Sequence, residues 1–353
     1  MTEEEFSNIF IGPLHEDGLH LSEIDKNIYD EVIDLTNRFC MPSQVLNNLV
    51  YNNEVTNPLI DSLLKQRHVA NLKTLINRNE LLKIANLFNE NSIDYVFMKG
   101  AAINELNDDY VRHSRDLDIL VCKQSLSKAY GLLKGIGYFY LNPLVSDSAK
   151  FISQKHHLPV LTNGEGALVE IHHRVTKKMI YKECPLTHSM LRNYLTVTRN
   201  KINFRISDVN HTIAHIIYHA IKHHKFNIGP IFLHDIKSIR DQCKDEEKLN
   251  NLLDTLDLKD DYRKILNFID TKSIKDSFEI YNTQQLKIVL DEINLKKLSN
   301  LPFTQKGRIN FWNIMKTPFQ YSEDSFQTSK YSFKFYLMIL KTLKRHIERL
   351  LRN

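Results

Sequence analysis

The chain has 353 residues, with 47 Lys and Arg against 42 Asp and Glu and a formal net charge of +5. That balance permits an anionic substrate without demanding nucleic acid, and the length allows one large domain or two to three smaller ones. The four cysteines, Cys40, Cys122, Cys184 and Cys243, form no Cys-x-x-Cys pair, which argues against a zinc ribbon or a disulfide framework. The start, Thr2-Glu3-Glu4-Glu5, is acidic with no apolar run behind it, and no segment reaches the length of a membrane span. A cytoplasmic protein without a signal peptide or a membrane partner is expected.

Residues 1–92 read as helical. Leu21 to Phe39 carries Ile24, Ile28, Val32, Ile33 and Leu35 near helical spacing. Asn57-Pro58 predicts a helix start, since Pro suits a first turn, and Asn79 predicts the cap of a further helix. Asp94 to Met98 then predicts a buried strand, Gly100 to Leu106 a short helix and Leu117 to Cys122 a second strand. Gln124 to Leu133 predicts a helix stopped by Gly135-Ile136-Gly137, and Tyr138 to Leu141 a third strand. His157 to Leu161 and Ala167 to Val175 flank Asn163-Gly164-Glu165-Gly166 as a hairpin.

From about residue 180 the pattern is helical again. Ser207-Asp208 caps a helix running to about His224, Gly229-Pro230 breaks the chain, and Ile231 to Cys243 resumes it. Further helices are expected over 246–256, 259–270 and 284–298. Phe333 to Arg352 is amphipathic and basic, and its apolar side reads as a docking face within the protein. The expected fold class is α+β, a small mixed sheet flanked by N- and C-terminal helical segments, with divisions at 1–92, 93–180 and 181–353.

The chemistry concentrates on the strands. Asp116 and Asp118 stand one residue apart at the start of Leu117 to Val121, so they face the same way. Two like charges so placed repel unless a cation lies between them. Glu170, in Leu168-Val169-Glu170-Ile171-His172, adds a third acid on the face opposite Val169 and Ile171. If the two strands are neighbours, Asp116, Asp118 and Glu170 converge, and three carboxylates suit Mg²⁺ or Mn²⁺. The plainer alternatives are a solvated strand start paired with Arg112 and Arg115, and an ion pair between Glu170 and Arg174 or a lysine.

Met98-Lys99-Gly100-Ala101-Ala102, the run Arg112-x-x-x-Asp116-Leu117-Asp118-Ile119-Leu120-Val121 and Glu170-Ile171-His172 resemble the uncharacterised bacterial nucleotidyltransferase family of the polymerase-beta-like superfamily. His219-Ala220-Ile221-Lys222-His223 and Leu233-His234-Asp235-Ile236 resemble that family's helical His-Ala-x-x-His … Leu-x-Asp segment, so the likeness spans roughly residues 70 to 245. Three departures stand out. Gly100-Ala101 replaces the superfamily's Gly-Ser or Gly-Gly, His173 replaces a Trp, and the gap from Gly100 to Asp116 is longer than the superfamily norm, though it suits the narrower family.

The resemblance implies a nucleotidyltransferase-type sheet and transfer of a nucleoside monophosphate from an NTP, ATP foremost, with release of pyrophosphate. It implies a two-metal mechanism with Mg²⁺ (or Mn²⁺) held by Asp116, Asp118 and Glu170, which are also the catalytic residues. Lys99, Gly100, Ala101, Arg112 and Arg115 are then expected at the nucleotide phosphates, and His172, His219 and His223 as substrate contacts. The acceptor stays open among a small molecule, a peptide, a protein and an RNA, and no stacking pattern indicates nucleic acid.

Two other readings compete. His211, His215, His219 and His223 repeat every four residues and His234-Asp235 follows, an order similar to HD-type metal phosphohydrolases. The plain explanation of that stripe, and the favoured one, is that some of these histidines cap or bridge packed helices and others face water. The remaining reading is a non-catalytic nucleotide- or partner-binding module.

Overall fold

A seven-stranded mixed sheet carries the candidate carboxylates. The computed structural model describes residues 1, 3–12, 18–50, 57–141, 156–176, 185–224 and 228–270. These belong to one unit, Met1–Asn142 with Asp147–Val289; a second, Pro143–Ser146 with Leu290–Asn353, lies outside the described residues. The expected helices over 284–298 and 333–352 lie outside them as well.

The N-terminal helices are α1 (Glu3–Phe6), α2 (Tyr29–Phe39), α3 (Pro42–Asn48) and α4 (Pro58–Glu90), with a short parallel pair, β1 (Leu19–His20) and β2 (Leu49–Val50). The middle of the chain gives β3 (Tyr95–Phe97), α5 (Gly100–Leu106), β4 (Leu117–Val121), α6 (Leu126–Gly135), β5 (Phe139–Tyr140), β6 (Leu161–Thr162) and β7 (Leu168–His172). Then follow α7 (Pro185–Arg192), β8 (Tyr194–Arg199), β9 (Ile202–Ser207), α8 (Val209–Tyr218), a π-helical turn His219–His223, α9 (Ile231–Ile239), α10 (Glu246–Thr255) and α11 (Lys259–Asp270). The sheet order is β5-β6-β7-β4-β3-β9-β8. The pairs β4–β7 and β3–β9 are parallel and the others antiparallel. The class is α+β, as expected.

Two elements differ from expectation. α4 is one helix of 33 residues, not two. Asn57 starts it, its Oδ1 accepting from the Leu59 and Ile60 N–H groups at 2.9 and 3.4 Å. No Pro or Gly follows in the helix to stop it, and Asn79 sits on its exposed side. The second difference is β8 and β9, in a stretch expected to be helical. Ile202-Asn203-Phe204-Arg205-Ile206 alternates in period two, and Thr196-Val197-Thr198 is β-branched throughout. They are joined at Asn200 and Lys201, whose φ values of 50° and 64° are those of a type I′ hairpin turn.

The strand register sorts the side chains into two faces. Tyr95, Phe97, Ile119, Val121, Val169 and Ile171 are buried together on one face. α4 covers that face, with Phe88 edge-on to Tyr95 at 5.5 Å and Tyr95 edge-on to Phe97 at 5.4 Å. Asp118, Leu120, Glu170 and His172 lie on the opposite face. Among the described residues no helix is long and apolar enough to cross a membrane.

The loop between α5 and β4, which delivers Asp116, is tied down from several sides. Asn104 on α5 exchanges two hydrogen bonds with the Arg112 backbone, at 3.0 and 2.7 Å. Asn77 on α4 donates to the Ser114 carbonyl at 3.1 Å. The Arg112 Nε donates to Asp235 Oδ2 on α9 at 2.9 Å, and the Tyr110 hydroxyl to Asp235 Oδ1 at 2.9 Å. His113 is buried between Ser43 Oγ, 2.9 Å from its Nε2, and Thr74 Oγ1, 3.3 Å from its Nδ1.

Burial and the Arg112 charge push the His113 imidazole down to about 4 from 6.5. Between those two pH values the unfolded chain carries a proton at this site and the folded chain does not. The stabilisation is therefore complete above about pH 6.5 and is lost as pH falls through about 4, by about 3 kcal/mol in all. Urea midpoints at pH 7 and pH 4 should show that share of the loss in the wild type and not in His113→Gln. Asp235→Ala leaves the Arg112 charge buried without its partner and should cost about 3–5 kcal/mol in urea unfolding. The double change Arg112→Met/Asp235→Leu should recover most of that.

Candidate functional site

The site grows from one pairing. Parallel β4 and β7 set Asp118 directly beside Glu170, with His172 two residues further along the same face. His172 Nε2 lies 2.8 Å from Asp118 Oδ1 and 3.4 Å from Glu170 Oε2. The Lys99 Nζ reaches the same Asp118 oxygen at 2.6 Å. Lys99 sits in the turn between β3 and α5 with φ 52° and ψ −127°, a region a residue with a side chain rarely adopts.

The electrostatics follow from this packing. Asp118 is 3 % exposed. Burial works against its charge, but Lys99 and His172 outweigh it and hold the carboxyl far below the usual range. Burial also opposes ionisation of Glu170, and the His172 hydrogen bond pulls it the other way, to a net lowering. His172 is raised: burial disfavours its charge, but the bonds to Asp118 and Glu170 favour it more. Lys99 is likewise raised, since Asp118, Asp116 and Glu170 overcome its burial. Asp116, at the mouth of β4, is pushed up to about 6 by burial and by the neighbouring Asp118 charge.

Asp118, Glu170 and His172 each offer one ligand atom within 4.8 Å of the others. The two carboxylate oxygens in that span suit a divalent ion, and His172, whose charged form is favoured, holds both carboxylates by hydrogen bonds. The expected trio is Asp116, Asp118 and Glu170. The structure brings together the last two with His172, and Asp116 stands beside that group as an electrostatic neighbour.

The expected phosphate-binding residues divide. Lys99 is at the cluster. Gly100 is buried, and a Cβ there would overlap the Ser114 hydroxyl, so packing against Ser114 accounts for the glycine. Ala101 follows it in α5, half-buried. Arg112 is held by Asp235 and also bonds the His113 carbonyl. Arg115 is exposed and donates to the Asn37 and Arg38 carbonyls at the end of α2, at 2.8 and 3.2 Å.

The histidines divide too. His211 is buried between Asp208 Oδ1, at 2.6 Å, and Ser189 Oγ, at 2.7 Å. His234 bonds the Phe10 carbonyl at 3.0 Å. With Asp235 engaged by Arg112 and Tyr110, the His234-Asp235 pair serves as internal scaffolding, which removes the support for the HD-type reading. His215 and His219 are pushed down by burial and by the Lys99 charge, His215 to about 3, so both are neutral. His156 is not among the expected contacts, yet its ring is 5.9 Å from that of His172 and 5.5 Å from that of His223. Its signal in the chain is the His156-His157 pair directly ahead of an apolar strand.

No curated protein matches the chain. Similar solved structures include two of the antibiotic-resistance factor ANT(2″)-Ia. The solution structure shares 11 % identity, over 52 % of this chain and 92 % of that one, with a TM-score of 0.35. The crystal structure with adenylyl-2″-tobramycin shares 13 %, over 53 % and 97 %, also with a TM-score of 0.35. An antigenic nucleotidyltransferase-like protein from Paracoccidioides brasiliensis shares 16 %, over 56 % and 93 %, with a TM-score of 0.36. Likeness at that level carries nothing about the site. The family model for uncharacterised nucleotidyltransferases matches residues 41–269, well over half of the chain and all of the seven-stranded sheet. By that match the protein is a nucleotidyltransferase and belongs to the uncharacterised nucleotidyltransferase family.

Proposed function

We propose that the protein transfers a nucleoside monophosphate from an NTP, ATP foremost, to an acceptor hydroxyl at the sheet face carrying Asp116, Asp118 and Glu170. The observation that carries this reading is the β4–β7 register, which sets Asp118 beside Glu170 with Lys99 2.6 Å from Asp118. In the reaction the acceptor oxygen bonds to the α-phosphorus, the bond from that phosphorus to the bridging oxygen breaks, and pyrophosphate leaves with the electron pair.

Asp118, Glu170 and Asp116, with His172 beside them, would hold Mg²⁺ (or Mn²⁺), which when bound neutralises the triphosphate and the departing pyrophosphate. Glu170, ionised at neutral pH, takes the proton of the acceptor hydroxyl. Lys99 is the phosphate-binding cation of the site, because Arg112 and Arg115 are bonded elsewhere. His172 keeps the two carboxylates oriented towards the same volume through its bonds to both.

The test is pyrophosphate release from the four NTPs with a panel of hydroxyl acceptors, with Mg²⁺ and with chelator. The wild type should require the ion. Glu170→Gln should lower the rate by about 10²–10⁴-fold, and Asp116→Asn/Asp118→Asn should bring it to background with the fold retained by circular dichroism. Full activity in the double variant would sink the proposal.

A further inference from the structure

A second group of metal-ligating side chains shares no residue with the carboxylate cluster. One ligand atom each from His219, His223 and His224 lies within 4.8 Å of the others. The Nε2 atoms of His219 and His224 are 3.1 Å apart, and the ring of His223 lies 4.9 Å from that of His219 and 4.3 Å from that of His224.

The backbone produces this grouping. The chain leaves α-helical geometry after Tyr218, and the His224 N–H donates to the His219 carbonyl at 3.0 Å, five residues back. In a regular α-helix the fifth residue would be turned about 140° away. The wider π turn brings it round to His219 while keeping His223 adjacent. Such turns are rare and concentrate at functional sites.

We infer that His219, His223 and His224 form a binding site for a divalent transition metal of borderline character, Zn²⁺ or Co²⁺, separate from the carboxylate site. The ligand spacing supports it. At a metal–nitrogen distance of about 2.0–2.1 Å, two ligands on one four- or six-coordinate ion stand about 2.9–3.4 Å apart, and the His219–His224 separation falls in that interval. A simple hydrogen bond between those two rings would explain their distance but not the third imidazole beside both. The donor set also discriminates: an all-nitrogen group suits Zn²⁺, Co²⁺ or Ni²⁺ and is unsuited to Mg²⁺, which takes oxygen ligands. All three rings are half-buried, so an ion has access without unfolding the helix. Three protein ligands leave at least one coordination position open, the arrangement of reactive rather than structural zinc sites. His156 lies between this group and His172, so the two sites are neighbours. The site does not depend on the nucleotidyl-transfer proposal.

The test is equilibrium dialysis of the full chain against Zn²⁺ with Mg²⁺ in millimolar excess, paired with the visible absorption of the Co²⁺-loaded protein. The wild type should take up one Zn²⁺ and give a Co²⁺ spectrum of nitrogen ligation. His219→Ala and His223→Ala should each weaken uptake at least about tenfold, and Asp118→Asn/Glu170→Gln should leave it unchanged. His224→Gln keeps a polar side chain of similar size. It should lose the ion while holding the melting temperature of the metal-free wild type, which separates ligand loss from misfolding. No uptake by the wild type, equal uptake by the histidine variants, or loss of uptake in the carboxylate variant would each overturn the inference.

Discussion

Two carboxylates side by side on parallel strands, Asp118 buried and Glu170 half-buried, set the terms for everything around them. Asp118 and Glu170 face the same volume, and in that environment one of them would take up a proton unless cations stood close by. Lys99 and His172 supply those charges within hydrogen-bonding distance. Lys99 gets there only through an unfavourable backbone conformation, φ 52° and ψ −127°, of a kind that costs about 1–3 kcal/mol. Leaving a buried charge without its partner costs about 3–5 kcal/mol. The ion pair is the larger effect, so the strained turn persists. The chain that follows must then pass close to the loop before β4. Gly100 has no side chain, and Ser114 fills the space one would need.

The same comparison explains why the arginines ahead of the aspartates stay where they are. Arg112 lies in a buried pair with Asp235, braced by Tyr110. Drawing it out to a phosphate would gain a charged hydrogen bond of about 1.5–3 kcal/mol and strand Asp235 at about 3–5 kcal/mol. The guanidinium therefore acts as a strut between α9 and the loop, and it is the loop's rigidity that places Asp116. Burial pushes the Asp235 carboxyl up even with Arg112 beside it, a sign of how enclosed the strut is. Lys99 differs because its partner is the site itself.

Much of this is legible in the chain, and what is not has identifiable causes. The alternation in Leu168 to His172 alone puts Glu170 and His172 on one face, and β7 keeps that pattern beside β4. The Asp-x-Asp run and the Asn163-Gly164-Glu165-Gly166 turn carry their own local signals. Asn79 misleads because an N-cap preference matters only where something ends the preceding helix, and α4 contains nothing that does. β8 and β9 are hidden by the helical pattern of the stretches on either side of them. Their turn, Asn200-Lys201, lacks the glycine that usually marks positive φ, and only the Asn hints at it. The pairing of Arg112 with Asp235 is out of reach, because they sit 123 residues apart and nothing local to either names the other.

The histidines show most clearly where periodicity stops being informative. His211, His215, His219 and His223 are equivalent by spacing, yet each meets a different environment. His211 is fixed between Asp208 and Ser189, and the same Asp208 caps α8 through the His211 N–H. His215 is buried and held neutral by its surroundings. At His219 the helix widens, and from there the relevant neighbour is five residues on instead of four, so His224 joins the set although it breaks the period. Spacing alone selects a face of an ideal helix. A single change of backbone hydrogen-bonding, from four residues back to five, decides which imidazoles on that face come within reach of one another.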